Sequence, residues 1–350
     1  MRTLSGWLVL PHRIAAGDIT LDGPRIARIQ RRRAGRTRRY IAPGFIDLHL
    51  WGEPPRLAAQ EPRGGTTAFL ATLGPLPPAR LHQRLAAWSR QPIAAGAQRL
   101  GFHLEGPWVN RRQAGALNVT AIRPPRVSEC RRLWSASRGQ IRLVTLAPEV
   151  PGARGVTAFW RRRGVVISCG HTTASYDDAR HGIADGMRCA THLWNKMGSP
   201  HQRRPGIIGA CLEDARVMVM LLVDGKHLHP TTVKLIYRVI GAERLVLVTD
   251  STRTVPLDDD PALGLRRRQF KGKLAGTRLT MMEAVRNLAA FTGVALPEAV
   301  RAASLNPARV LGLARRKGHL AVGYDADLVV FDERFRVLQT IVGGQVVYER

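Results

Sequence analysis

Eight short apolar runs recur along the chain, each ending in polar or Gly-rich residues: Ile41–Leu50, Thr67–Thr72, Leu100–Leu104, Ile141–Ala147, Gly164–Cys169, Met187–Thr191, Val217–Val223 and Leu245–Thr249. Segments of helical spacing follow them, with apolar residues at i, i+3 and i+4 in Pro78–Trp88, Ser128–Ser135, Ser175–Ile183, Pro230–Ile240 and Leu279–Phe291. Buried parallel strands read as unbroken Val/Ile/Leu stretches separated by crossover helices. The pattern therefore predicts an α/β fold whose main body is a (β/α)8 TIM barrel.

The two ends of the chain read differently. Leu8–Leu10, Asp18–Leu21 and Ile26–Ile29 at one end, and Leu328–Phe331, Leu338–Val342 and Gln345–Tyr348 at the other, are short strand-like segments without intervening helices. Asp22-Gly23 and Gly343-Gly344 supply hairpin turns. We expect residues 1–41 and 318–350 to form one small, discontinuous β-sandwich domain around a barrel of residues 42–317.

Composition narrows the function classes. With 54 Lys+Arg against 26 Asp+Glu, the net charge of +28 raises the question of an anionic polymer as partner. The bases are scattered, however, and the densest run, Arg31 to Arg39, has no interleaved aromatics before Tyr40. No zinc-finger spacing, basic heptad region or aromatic RNA platform accompanies the charge, so no specific nucleic-acid partner is expected. Cys130, Cys169, Cys189 and Cys211 stand singly, which fits reduced thiols and a cytoplasmic location. No apolar run reaches the roughly 20 residues of a membrane helix, so no membrane partner is expected.

Barrel enzymes carry their chemistry at the C-terminal ends of the strands. Asp47 and His49, Glu105, His171, His192 and Asp250 all stand where an apolar run ends. A single His there is ordinarily structural, but five strands ending in this way point to a metal site. Glu105, His171 and His192 offer one carboxylate and two imidazoles, a set that suits one divalent ion, Zn or alternatively Fe or Mn. Asp250 would face the attacking water and exchange its proton, which implies hydrolysis of an amide-like bond.

The same residues carry a family resemblance. Ala42-Pro-Gly-Phe-Ile-Asp-Leu-His49, Phe102-His-Leu-Glu-Gly-Pro-Trp108, Gly170-His-Thr-Thr-Ala-Ser175, Ala190-Thr-His-Leu-Trp-Asn195, Arg203-Arg-Pro-Gly206, Asp224-Gly-Lys-His227 and Leu247-Val-Thr-Asp250 resemble the N-acetylglucosamine-6-phosphate deacetylases of the amidohydrolase superfamily. Further matches run through Leu279–Asn287, Ala303–Ala308 and Gly323–Leu328, in order along nearly the whole chain. The resemblance implies a metal-dependent hydrolase with Glu105, His171 and His192 as metal ligands and Asp250 as general acid and base. It further implies Asn195, Arg203 and His227 as contacts to a small-molecule sugar phosphate, and a homodimer as the assembly.

Four departures accompany it. The bimetallic members carry His-x-His after the first strand, whereas this chain has His49-Leu50-Trp51, so His49 is read as the remnant of a second metal position and the site as mononuclear. Leu117 stands where the family has a His that polarises the substrate amide. Lys196, beside Asn195, and Arg204, beside Arg203, make the pocket more basic, and Lys196 is added to the expected substrate contacts. The stretches 51–67 and 251–274 are shorter than in typical members. Two alternative readings follow: an amidohydrolase for another N-acyl or cyclic amide, or a non-catalytic paralogue binding a sugar phosphate or nucleic acid. His103 is expected to point away from Glu105 and to be structural.

Overall fold

The computed structural model describes residues 1–32, 39–93, 95–255, 263–264 and 274–350. Most of the shortened stretch 251–274 and the centre of the Arg31–Arg39 run thus lie outside the described residues. At the N-terminus β1 (Arg2–Leu10), β2 (Arg13–Asp22) and β3 (Arg25–Arg31) make an antiparallel meander, and β4 (Arg39–Pro43) pairs parallel to β1. The barrel then runs through β5 (Phe45–Trp51), α1 (Pro54–Gln60), β6 (Thr66–Leu73), α2 (Pro78–Arg90), β7 (Gln98–Glu105), α3 (Val127–Ala136) and β8 (Ile141–Leu146). It continues through α4 (Ala153–Arg161), β9 (Val166–Cys169), α5 (Tyr176–Asp185), β10 (Cys189–Ala190), α6 (Gly206–Glu213), β11 (Met218–Leu221), α7 (Pro230–Arg244) and β12 (Leu245–Leu247). After α8 (Met281–Thr292), α9 (Leu296–Ala303) and α10 (Leu305–Val310), the chain returns to the first sheet with β13 (Leu328–Asp332), β14 (Val337–Val342) and β15 (Gln345–Glu349).

The eight parallel strands pair in sequence order, β5 through β12. A bridge between Leu50 and Ser251, with Trp51 N–H donating to the Ser251 carbonyl at 3.0 Å, joins the first strand to the segment beyond the last. The (β/α)8 barrel expected from the apolar runs is therefore present. Its lumen is apolar at the N-terminal end, where Ile46, Leu48, Ala68, Leu70, Leu143, Met220 and Val246 from the strands pack with Ala308 of α10. A hydroxyl layer lies in the same buried interior: Thr145 Oγ1 and Thr191 Oγ1 are 2.7 Å apart, and Ser168 Oγ reaches Thr191 Oγ1 at 2.6 Å. The first apolar run divides at Gly44, its N-terminal part joining the small sheet as β4 and the remainder forming β5. A Cβ at Gly44 would meet Thr67 Oγ1 at 2.2 Å, so only glycine lets the two sheets approach here.

Capping explains two helix starts. Ser175 with Asp178 opens α5 and Thr280 with Glu283 opens α8, each a reciprocal capping box. Helices α1, α4, α6, α9 and α10 were outside the expected set, because they are short and have turn-forming residues at or near their starts, at Pro54-Pro55, Pro151-Gly152, Pro205-Gly206, Pro297 and Pro307.

The small domain is one continuous seven-stranded sheet, β15-β14-β13-β4-β1-β2-β3. Leu8, Ile19, Leu21, Ile26, Ile41, Leu328, Val330 and Ile341 form its apolar core, and strands from both ends of the chain share this one sheet. The Asp325-Ala-Asp327 motif is structural: Asp325 pairs with Arg25 and Arg316, and Asp327 pairs with buried Lys317 while its carbonyl accepts from Gly44 N–H. Gly344 sits at φ +80° in the β14–β15 turn, and a Cβ there would lie 1.9 Å from the Gly23 carbonyl. Gly344→Ala is expected to cost about 2–4 kcal/mol through backbone strain and overpacking. A urea unfolding midpoint unchanged from the wild type would contradict this account of the sheet's closure.

Candidate active site

Strand ends deliver the site. Glu105 is the last residue of β7, and His171, His192 and Asp250 follow β9, β10 and β12 within two or three residues. These last three adopt positive φ, at 49°, 32° and 48°. Left-handed backbone costs non-glycine residues roughly 1–3 kcal/mol each. Here it turns each side chain from the strand end towards a common centre.

The side chains converge on Glu105. Its Oε1 lies 3.0 Å from His171 Nε2 and 2.8 Å from His192 Nε2, while Oε2 lies 3.4 Å from His49 Nε2. One donor atom each from His49, Glu105 and His192 fall within 4.8 Å of one another. His49 is thus inside the cluster rather than beside it, and His171 joins through the Glu105 carboxylate. His49 Nε2 also stands 3.3 Å from Asp250 Oδ1, to which the Trp51 indole N–H donates at 2.7 Å.

The proton arrangement tests whether a cation fits. His171 Nδ1 faces the Gln113 carbonyl at 2.8 Å, and a carbonyl only accepts, so Nδ1 carries the hydrogen. In the neutral ring Nε2 then presents a lone pair to the Glu105 carboxylate, acceptor against acceptor. His192 Nδ1 and both ring nitrogens of His49 are buried without hydrogen-bond partners. A divalent cation among these lone pairs resolves the conflict, and a ligating His whose other nitrogen donates to a carbonyl is the usual second-sphere arrangement.

The electrostatics agree. Burial alone would raise Glu105, but the imidazoles of His49 and His171 outweigh it and hold the carboxyl well below its usual range. Burial alone would depress His49, yet Glu105 and Asp250 push it up to about 9. A bound cation competes with that proton for the same lone pair. Burial lowers His192, which favours the neutral, ligating form. Asp47, raised to about 7 by burial, accepts from Thr249 Oγ1 at 2.6 Å and fastens β5 to the end of β12.

A cavity of about 360 Å³ opens above the cluster, lined on one side by Trp51, Glu105, His171, His192 and Asp250. Asn195, Lys196 and His227 line it as well, and Leu117, Leu222 and Trp194 supply apolar wall. His227 Nδ1 is held 2.8 Å from Asp224 Oδ2. Burial would raise Asp224, but the hydrogen bonds from His227 and two backbone N–H groups bring it down to about 2. The Lys196 stem packs over Gly115, where a Cβ would sit 2.8 Å from Cε. Arg203 and Arg204 are exposed on the turn closed by the His201–Arg204 bridge and do not line this cavity.

One expectation needs correction. His103 does not point away from Glu105, because residues two apart on a strand share a face. Its Nε2 lies 2.7 Å from Thr145 Oγ1, and its ring meets His49 edge-on with centroids 4.6 Å apart. Burial keeps it well below its ordinary pKa, so it packs as a neutral ring beneath the cluster. Spacing relative to Glu105 carried the signal for this placement.

Residues 40–347 match the amidohydrolase family. The chain belongs to the amidohydrolase family. Among amidohydrolases of known activity, it is 34% identical over 332 residues to the N-acetylglucosamine-6-phosphate deacetylase of Lysinibacillus sphaericus, covering 88% of this chain and 85% of that one. It is 32% identical over 368 residues to the N-acetylgalactosamine-6-phosphate deacetylase of Escherichia coli O157:H7, covering 98% and 96%. The crystal structure of the Mycobacterium smegmatis N-acetyl-D-glucosamine-6-phosphate deacetylase superposes with a TM-score of 0.89 at 31% identity, covering 99% of this chain and 100% of the other. An Asp→Ala variant of that enzyme, in complex with N-acetyl-D-glucosamine 6-phosphate, superposes equally well.

A cation seated in this cluster would depend on the Glu105 carboxylate. Glu105→Gln is expected to retain less than about a tenth of the metal held by the wild type, in line with loss of a direct ligand. Elemental analysis of the two purified proteins checks this, and equal metal contents would remove Glu105 from the ligand set.

Proposed function

We propose that this amidohydrolase removes acetate from N-acetylglucosamine 6-phosphate, leaving glucosamine 6-phosphate. The observation that carries the reading is the juxtaposition in one cavity of the Glu105–His171–His192 cluster and Asp250 with the polar group Asn195, Lys196 and His227. The activities of the similar enzymes support the same substrate class.

Glu105, His171 and His192 would hold one divalent ion, for which two imidazoles and a carboxylate favour Zn, with Fe or Mn accommodated by the same donors. When bound, that ion polarises the acyl oxygen and acidifies the attacking water. Asp250 accepts the proton of that water as its oxygen bonds to the acetyl carbon. It then delivers the proton to the sugar nitrogen as the C–N bond breaks, so acetate and the amine leave and the carboxylate is regenerated. Oδ1 accepts from the Trp51 indole, which leaves Oδ2 for the transfer.

At the other side, His227, aligned by Asp224, and Asn195 present polar groups to the sugar phosphate. Lys196 adds positive charge, and charge-assisted donors are the strong partners of a phosphomonoester. Leu117 and Leu222 offer no donor, so they suit the acetyl methyl and exclude water. Exposed Arg203 has no place in the cavity as it stands, and its contribution is confined to the approach of the anion.

The N-acetylgalactosamine-6-phosphate deacetylase among the similar enzymes favours a second reading, in which the C4 epimer is the substrate. Both epimers are therefore assayed, with and without the 6-phosphate, alongside N-acetylated amino acids. Preference for a phosphorylated hexosamine is expected. Asp250→Asn is expected to lower kcat about a thousandfold, a typical loss for a general base and acid. His227→Ala should chiefly raise KM for the phosphorylated sugar. Equal turnover of phosphorylated and unphosphorylated sugars would overturn the phosphate assignment, and wild-type rates in Asp250→Asn would overturn the role of Asp250.

A further inference from the structure

Trp51 is a buried core residue whose indole also reaches the polar cluster. It ends β5 at the barrel mouth, is 1% exposed, and lines the cavity beside Glu105 and Asp250. Its backbone is fixed on both sides: Trp51 N–H donates to the Ser251 carbonyl at 3.0 Å, and its own carbonyl accepts from Thr254 Oγ1 at 2.9 Å. The following Gly52, at φ +144°, has room only for hydrogen, since a Cβ would lie 2.0 Å from Thr254 Oγ1. The ring is thus aimed by the same segment that carries Asp250.

We propose that Trp51 is a positioning residue, whose indole N–H holds Oδ1 of Asp250 so that Oδ2 faces the scissile amide. The inference rests on the reading of Asp250 as proton acceptor and donor. An indole nitrogen only donates and does not exchange its proton in the working range. It can therefore hold an acceptor without competing for the transferred proton, which an imidazole in the same place would do. Fixing one carboxylate oxygen also removes rotation about Cβ–Cγ, and misplacement of a reacting group by a fraction of an ångström is costly to rate. Asp250 needs this support, because it sits in left-handed backbone at φ 48° and its other Oδ1 neighbour is His49 at 3.3 Å.

The test measures turnover, metal content and a spectroscopic signature on the full chain. Trp51→Phe keeps an aromatic ring and loses the N–H; kcat is expected to fall about tenfold to a hundredfold, the range for a hydrogen bond to a charged group. KM and metal content should stay within twofold of the wild type. Trp51→Gln restores an N–H donor on a more mobile arm and should recover part of kcat, and it also serves if Trp51→Phe does not fold. In the Asp250→Asn background, Trp51→Phe should cost little more, since the group it positions is gone. A kcat for Trp51→Phe within twofold of the wild type, or equal losses in both backgrounds, would overturn the role.

The indole N–H proton resonance of Trp51, assigned by its absence in Trp51→Phe, should move upfield in Asp250→Ala. An unmoved resonance would overturn the bond itself. This readout needs no turnover, so it separates the two failures. An inactive wild type whose indole resonance responds to Asp250→Ala defeats the deacetylase reading while leaving the bond standing. An active wild type matched by Trp51→Phe defeats only the positioning role.

Discussion

The buried Glu105 carboxylate governs this site. An ionised carboxylate in a barrel interior carries a desolvation penalty that only compensating positive charge or several donors can offset. Around Glu105 the chain places three imidazoles, and His171, with Nδ1 on the Gln113 carbonyl, has its Nε2 3.0 Å from Oε1, so that its neutral ring turns a lone pair towards the carboxylate. The cluster makes chemical sense as a cation's ligand shell and poor sense as a hydrogen-bond network. Its construction also explains the strained backbone at His171, His192 and Asp250, since each has to turn off a strand end towards the same point. The eight-stranded sheet, the hydroxyl layer and the apolar lumen below it hold those turns in place.

Two positions give the site its asymmetry. Trp51 brings a neutral donor to Asp250 at the end of β5, while Leu117 brings an apolar surface to the opposite loop. The indole fills the space next to His49, whose centroid lies 5.9 Å away, and ties Asp250 to the strand that begins the barrel. The Lys196 stem lies over Gly115, on the loop that carries Leu117. The Asp224–His227 pair, on the loop between β11 and α7, is organised separately and is the proposed phosphate end.

Much of this was legible in the sequence for physical reasons. Buried parallel strands leave continuous apolar runs, so all eight were countable, and the polar residues ending them marked the site before any geometry was known. The helices that escaped notice, α1, α4, α6, α9 and α10, are short and carry Pro at or near their starts, where punctuation hides the periodicity. His103 was misread because alternation returns to the same face after two residues, which placed it under His49 with its Nε2 on Thr145. Arg203 illustrates the opposite limit: its motif was readable, but its exposure depends on a turn that spacing does not encode. Nor does spacing reveal that the indole of Trp51 reaches across to a residue 199 positions away. The net charge of +28 also changes meaning, for among the described residues Lys196 is the only Lys or Arg that lines the cavity, and charge spread over the surface can steer an anion inward.

The central claim is that one cation, held at Glu105, enables hydrolysis of a phosphorylated N-acetylhexosamine. A stoichiometric titration of chelator-stripped protein with Zn, Fe or Mn, followed by deacetylation of N-acetylglucosamine 6-phosphate, tests it most directly. Activity should rise linearly to one equivalent of the native metal and remain flat beyond it. Full activity in the stripped protein, or a rise that continues to a second equivalent, would contradict the account.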